Sequence, residues 1–131
     1  MHDSKKRDVS RLLGRKQLEV ARTAQRVALL ETMIMDFDNM IAVLDRQIAA
    51  EEDCTRIKDT GHPAYSTFAS AAAKRRQNLL ISVADIKSRL DAAKGELDEV
   101  TIQLRDLKST QNKQSTFTPA SSTPEATSAA R

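Results

Sequence analysis

Aromatic residues make up only 3% of this 131-residue chain, and tryptophan is absent. Rings normally supply much of the area buried in a globular core, so three Phe and one Tyr cannot fill a thick one. Glycine is scarce as well, at three residues, which excludes a glycine loop for cradling phosphate. The single cysteine, Cys54, excludes an internal disulfide and fits a reducing compartment. No run of about 18 apolar residues exists to cross a membrane. No apolar stretch follows Lys5, Lys6 and Arg7, so no signal peptide is expected. A soluble, intracellular protein is the expectation.

The groups that carry chemistry are equally sparse. His2, His62 and Cys54 show no metal-ligand spacing. Cys54 has neither a base nor a pocket to make it a nucleophile. The carboxylates Glu31, Asp36, Asp38, Asp45, Glu51 and Glu52 read as a solvated helix face rather than a cation site. Neither catalysis nor a cofactor, metal or small-molecule substrate is expected.

What the chain does contain is the composition of long helices: 30% charged residues, abundant Ala and Leu, and few breakers. Its second half carries Leu79, Val83, Ile86, Leu90, Ala93, Leu97, Val100, Leu104 and Leu107 at spacings that alternate four and three. That repeat averages 3.5 residues, the period of a left-handed coiled coil. It extends back through Arg76, Ala72 and Ala69. The first half has its own seven-residue series, Leu13, Val20, Val27, Ile34, Ile41 and Ile48, accompanied by Leu30, Phe37 and Leu44. Nearer the N-terminus the companion positions hold Lys16 and Thr23. A seam that is well formed from Val27 to Ile48 and poorly formed before it follows, with the first turns frayed or held by a partner.

Between the halves, Asp59, Thr60, Gly61 and Pro63 break the pattern. Proline is tolerated in a first helical turn, which places the start of the second helix between Pro63 and Ser66. Two helices of similar length, about 4–52 and 66–112, joined by a connection over 53–65, favour an antiparallel coiled-coil hairpin over one rod paired with a second chain. The expected fold is thus all-α, with residues 1–112 as the hairpin. The Ser/Thr/Pro-rich segment 113–131 cannot bury enough surface to offset its ordering, so it reads as a disordered tail.

Charge and apolar surface suggest what such a hairpin does. Residues 1–26 hold eight basic and three acidic groups, whereas Val27 to Asp53 hold one basic residue and seven carboxylates. The basic arm fits an acidic protein surface better than DNA, because a basic zipper region would fork from parallel helices. Arg76 takes an inward position level with about Ile41, near Asp38 and Asp45. It either fixes the register or extends along its own helix into solvent. Leu29, Met33, Met35, Met40, Val43, Leu80 and Ile81 lie off the seam. They form either an adaptable partner surface, as flexible methionines allow, or a wider packing face.

The segment Gly61-His-Pro-Ala-Tyr-Ser-Thr-Phe-Ala-Ser-Ala-Ala-Ala-Lys-Arg-Arg-Gln-Asn-Leu79 resembles the FliJ family of flagellar export proteins in its alphaproteobacterial form. In that family a His-x-Ala-Tyr-x-Thr-Phe-Ala stretch precedes Arg-Arg-x-Asn-Leu. The run Met40-Ile-Ala-Val-Leu-Asp-Arg-Gln-Ile-Ala-Ala-Glu-Glu52 is similar to its first helix, and the resemblance spans most of Val9 to Leu107. It implies a non-enzymatic component of the flagellar type III export apparatus at the cytoplasmic side of the flagellar base. Such a component is built like a rotary-ATPase stalk. Its implied partners are the export ATPase ring, the export-gate membrane protein and export chaperones. Arg11, Arg15, Lys16 and Arg22 would face the ATPase. Met33, Phe37, Met40, Tyr65, Phe68, Arg75 and Arg76 would offer the gate contact. The Ser/Thr/Pro tail departs from the longer, charged second helix of many members. The alternative is a scaffold subunit of another cytoplasmic assembly.

Overall fold

The computed structural model consists of two α-helices, α1 (His2–Thr55) and α2 (Thr67–Ala130), with no strand among the described residues. Backbone and side chains are described for residues 3–113. The tail expected over 113–131 lies, apart from Lys113, outside the described residues. The chain forms two compact units, one spanning Arg26–Ala93 and the other made of Met1–Gln25 with Lys94–Arg131. In each, a stretch of α1 runs antiparallel to a stretch of α2, giving the expected two-helix hairpin.

Within Arg26–Ala93 the heptad positions turn inward. Val27, Ile41 and Leu44 of α1 are buried against Ala69, Ala72, Val83, Ile86 and Leu90 of α2, and Ala93 is also buried. Leu30, Ile34, Phe37, Ile48 and Leu79 are half-buried at the intervening seam positions. Ala69 is wholly covered, and such small residues let the two backbones approach closely beside the connection. No large side chain among the described residues is completely buried. Two helices make a core one side chain thick, with solvent on both flanks.

The other unit corrects an expectation. Its seam does not stop short of Val27. Val9, Leu13, Val20, Leu97, Leu104 and Leu107 are half-buried, Val100 is buried, and α1 is helical from its first turn. The polar members fit because their polar atoms find partners. Thr23 is only 4% exposed, and its hydroxyl donates to the Glu19 carbonyl at 2.8 Å. Lys16 keeps its stem in the seam while its ammonium donates to Gln103 at 2.6 Å and Glu19 at 2.9 Å.

The helix ends at the connection also differ from the expectation by a few residues, for local reasons. Helix α1 continues past Glu52 to Thr55 and stops at Arg56, which takes a left-handed φ of 61°. The Arg56 N–H then donates back to the Glu52 carbonyl at 2.7 Å, the single-bond left-handed cap. In the connection, the Asp59 side chain accepts from Gly61 N–H and its carbonyl accepts from His62 N–H, both at 3.0 Å. A second turn follows over residues 62–65, closed by Tyr65 N–H to His62 C=O at 3.0 Å. Pro63 therefore occupies the second position of a β-turn, where its fixed φ is favoured, rather than the first turn of α2. Ser66 is the N-cap: its hydroxyl oxygen accepts from Ala69 N–H at 3.2 Å, and α2 begins at Thr67.

Candidate functional site

The connection is tied down by side chains that reach across the hairpin. The Tyr65 phenol donates to Glu52 at 2.7 Å, and the Ser66 hydroxyl donates to Glu51 at 2.8 Å. The same Ser66 oxygen caps α2, so one hydroxyl fixes both the start of α2 and its distance from the last turns of α1. The hydrogen bond to Glu52 holds the proton on the phenol and pushes its pKa above the ordinary 10.0, with desolvation and the carboxylate charge acting in the same direction. Glu51 and Glu52, read from sequence as part of a solvated face, are structural here.

Farther along, Arg76 resolves the choice between its two readings. Its guanidinium Nε pairs with Asp45 Oδ1 of α1 instead of trailing along α2. Exposed pairs of this kind contribute about 0–1 kcal/mol, so the pair marks the register while adding little to stability. Midpoints of the pairs Tyr65–Glu52, Ser66–Glu51 and Arg76–Asp45 all fall between Lys58 and Gly61, centring the fold-back on the connection.

Beside this zipped stretch lies apolar surface that the hairpin does not cover itself. Two adjoining hollows of about 120 and 180 Å³ run along one face. The first is lined by Met40, Val43, Leu44, Gln47 and Arg75; the second adds Phe68, Ala71 and Ala72. They share Leu44, Gln47 and Arg75, so they form one shallow groove. Met40 is 46% exposed and Phe68 55%. A half-bare phenylalanine over an alanine floor, with a mobile thioether and a guanidinium at the rim, presents apolar area and one cation to whatever docks.

The residues singled out from sequence fall into three groups. Met40, Phe68 and Arg75 come together in the groove. Phe37 is half-buried in the seam, Met33 is half-buried beside it, and Tyr65 and Arg76 are engaged in the latch and the register pair. In the other unit Arg11, Arg15 and Arg22 are exposed, whereas Lys16 is half-buried and bonded within its own helix pair. Leu80 and Ile81 are exposed but line neither hollow.

Gln47 and Ala71 are groove residues that the sequence reading passed over, and Ala72 was read as a seam position alone. A signal for them existed. Met40, Gln47, Phe68 and Arg75 each immediately precede a seam position (Ile41, Ile48, Ala69 and Arg76), and these flanks meet on one side of an antiparallel pair.

Among the described residues no three His, Cys, Asp or Glu side chains gather in a way that could hold a metal ion. No described helix is long and apolar enough to cross a membrane. Cys54 is exposed at the end of α1. No family model, curated protein or solved structure matches the chain.

Proposed function

We propose that the chain is a soluble, non-enzymatic stalk or adaptor of the flagellar type III protein-export apparatus. In this reading it works at the cytoplasmic face of the inner membrane, binding the export ATPase ring and the export gate and escorting export chaperones. One coincidence carries the proposal. The segment that resembles the FliJ family, Gly61 to Leu79, is also the segment that builds the latch through Tyr65 and Ser66. It supplies one wall of the groove as well, through Phe68, Ala71, Ala72 and Arg75. Of the residues that carry the resemblance, Phe68 and Arg75 are left available for a partner, while Tyr65, Ala69 and Arg76 are engaged within the hairpin.

The physical division of labour follows. The groove, with Met40, Phe68 and Arg75, takes the gate contact. The exposed Arg11, Arg15 and Arg22 give a cationic helix face suited to an acidic rim on the ATPase. A scaffold subunit of another assembly would use the same surfaces, and a genetic test separates the two. Deleting the coding sequence from a flagellated host abolishes filament-protein export and motility under the export reading. Normal motility and export in the deletion strain would sink it in favour of the scaffold.

A further inference from the structure

The unit made of Met1–Gln25 with Lys94–Arg131 carries opposite charges on its two outer faces. At about 100° per residue, Arg11, Arg15, Leu18 and Arg22 lie on the side of α1 turned away from its seam positions Leu13 and Val20. Asp98, Glu99, Ile102 and Asp106 lie on the side of α2 turned away from Leu97, Val100 and Leu104. All eight are exposed, and each face has one large apolar residue near its middle, Leu18 at 50% and Ile102 at 48%. Glu19, the one carboxylate between Arg11 and Arg22, sits on the flank against Lys16 at 2.9 Å. Arg105, the one cation between Asp98 and Asp106, is 3.8 Å from Asp106. Arg11, Arg15, Arg22, Asp98 and Glu99 make no ion pair or side-chain hydrogen bond among the described residues.

The two faces also match in level. Lys16 bonds Gln103 across the pair and sets the register of this unit. Leu18 is then level with Thr101, about one residue or roughly 1.5 Å from Ile102. Arg22 is level with Leu97, beside Asp98 and Glu99, and Asp106 falls between the levels of Arg11 and Arg15. A second copy displaced sideways by the width of the pair, without turning end for end, keeps every one of these levels. The displacement is a translation, so it preserves the hand of the chain and sets α2 of the second copy antiparallel against the outer face of α1. It seats Ile102 on Leu18, Asp98 and Glu99 beside Arg22, and Asp106 between Arg11 and Arg15. Placing α1 against α1, or α2 against α2, through the same faces would instead stack like charges.

We infer that this unit associates side by side with a second copy of the chain, the Arg/Leu face of α1 against the Asp/Glu/Ile face of α2. The contact is heterologous, so each copy keeps one face free and growth continues past the dimer unless a rotation closes a ring. Side-by-side association does not depend on the export reading. It adds that any acidic partner surface competes with the second copy for Arg11, Arg15 and Arg22.

Sedimentation equilibrium of the full chain over a dilution series tests it. The expected mass rises with concentration from 14.5 kDa to twice that value and beyond, and falls back in about 1 M salt, where charges are screened within about 3 Å. Arg11→Glu/Arg15→Glu/Arg22→Glu leaves both outer faces acidic, and Asp98→Lys/Glu99→Lys/Asp106→Lys leaves both basic. Each triple variant alone weakens association by roughly tenfold or more. Mixed in equal amounts, each supplies the face that the other lacks, and association returns. All six sites are exposed, so circular dichroism should show unchanged helix content in both variants. A monomer at every concentration overturns the inference. So does association indifferent to either triple substitution, or a mixture no heavier than its components.

Discussion

Replacing Arg56 by glycine should make this protein more stable, although it removes a charged side chain and adds a flexible residue beside a helix. Arg56 ends α1 with a φ of 61°. In that conformation the Cβ of an L-residue crowds the following carbonyl, at a cost of about 1–2 kcal/mol. Glycine has no Cβ, so the cost vanishes. Its greater freedom in the unfolded chain takes back about 0.5–1 kcal/mol. The capping bond, Arg56 N–H to Glu52 C=O, is backbone and survives the substitution. The guanidinium makes no hydrogen bond or ion pair among the described residues, so no side-chain contact is lost. The expected net gain is about 0.5–1 kcal/mol, or a rise of roughly 2–5 °C in Tm for a domain of this size. Arg56→Ala is the control, since it removes the same charge from the helix C-terminus but keeps the strained Cβ. Urea denaturation of the three proteins gives the comparison. Arg56→Gly no more stable than Arg56→Ala would refute the assignment of strain to this position.

Other outcomes follow from the same geometry. A Cβ added at Gly95 would meet nothing within 4 Å, so Gly95→Ala should gain about 1 kcal/mol from helix propensity; a loss in thermal denaturation would mean that the position is packed. Leu90 is 9% exposed on the seam and Ile81 60% exposed off it. Leu90→Ala should accordingly cost about 2–3 kcal/mol, while Ile81→Ala should stay within about 0.5 kcal/mol in the same assay. Tyr65 is the only tyrosine, so tyrosinate absorbance reports it directly. Because the folded chain holds this proton more tightly than the unfolded one, the Tyr65–Glu52 contact stabilises the fold fully below pH 10 and fades as pH rises through the higher folded-state pKa. Glu52→Ala should lower the titration midpoint towards the ordinary 10.0, and a midpoint equal to that of the native chain would discard the latch.

Much of this architecture was readable because the seam repeats. Each inward position between Ala69 and Leu107 restates the same four-three spacing, so a single polar member such as Arg76 does not obscure it. The N-terminal stretch of α1 was misjudged because Lys16 and Thr23 are polar residue types, and residue type does not reveal where a polar atom is satisfied. Thr23 is buried through a hydroxyl turned onto its own helix, and Lys16 through a reach to Gln103. The left-handed Arg56 gave no warning, since the turn signals of Gly61 and Pro63 lie several residues on. The groove was half legible. Met40 stood out as an apolar residue off the stripe. Gln47, Ala71 and Ala72 become groove residues only once the register sets Met40 and Gln47 against Phe68 and Arg75.

The claim that this hairpin is an adaptor, and that it engages its partner through the groove, is tested most directly by binding. The purified full chain and the variant Met40→Glu/Phe68→Glu would each be titrated into the export ATPase and into the soluble part of the export-gate protein. Both substituted side chains are about half exposed, so helix content should be equal in the two chains. The account predicts that the native chain binds both and that the variant loses the gate interaction while keeping its fold. A native chain that binds neither, or a variant that binds the gate as tightly as the native chain, would contradict it.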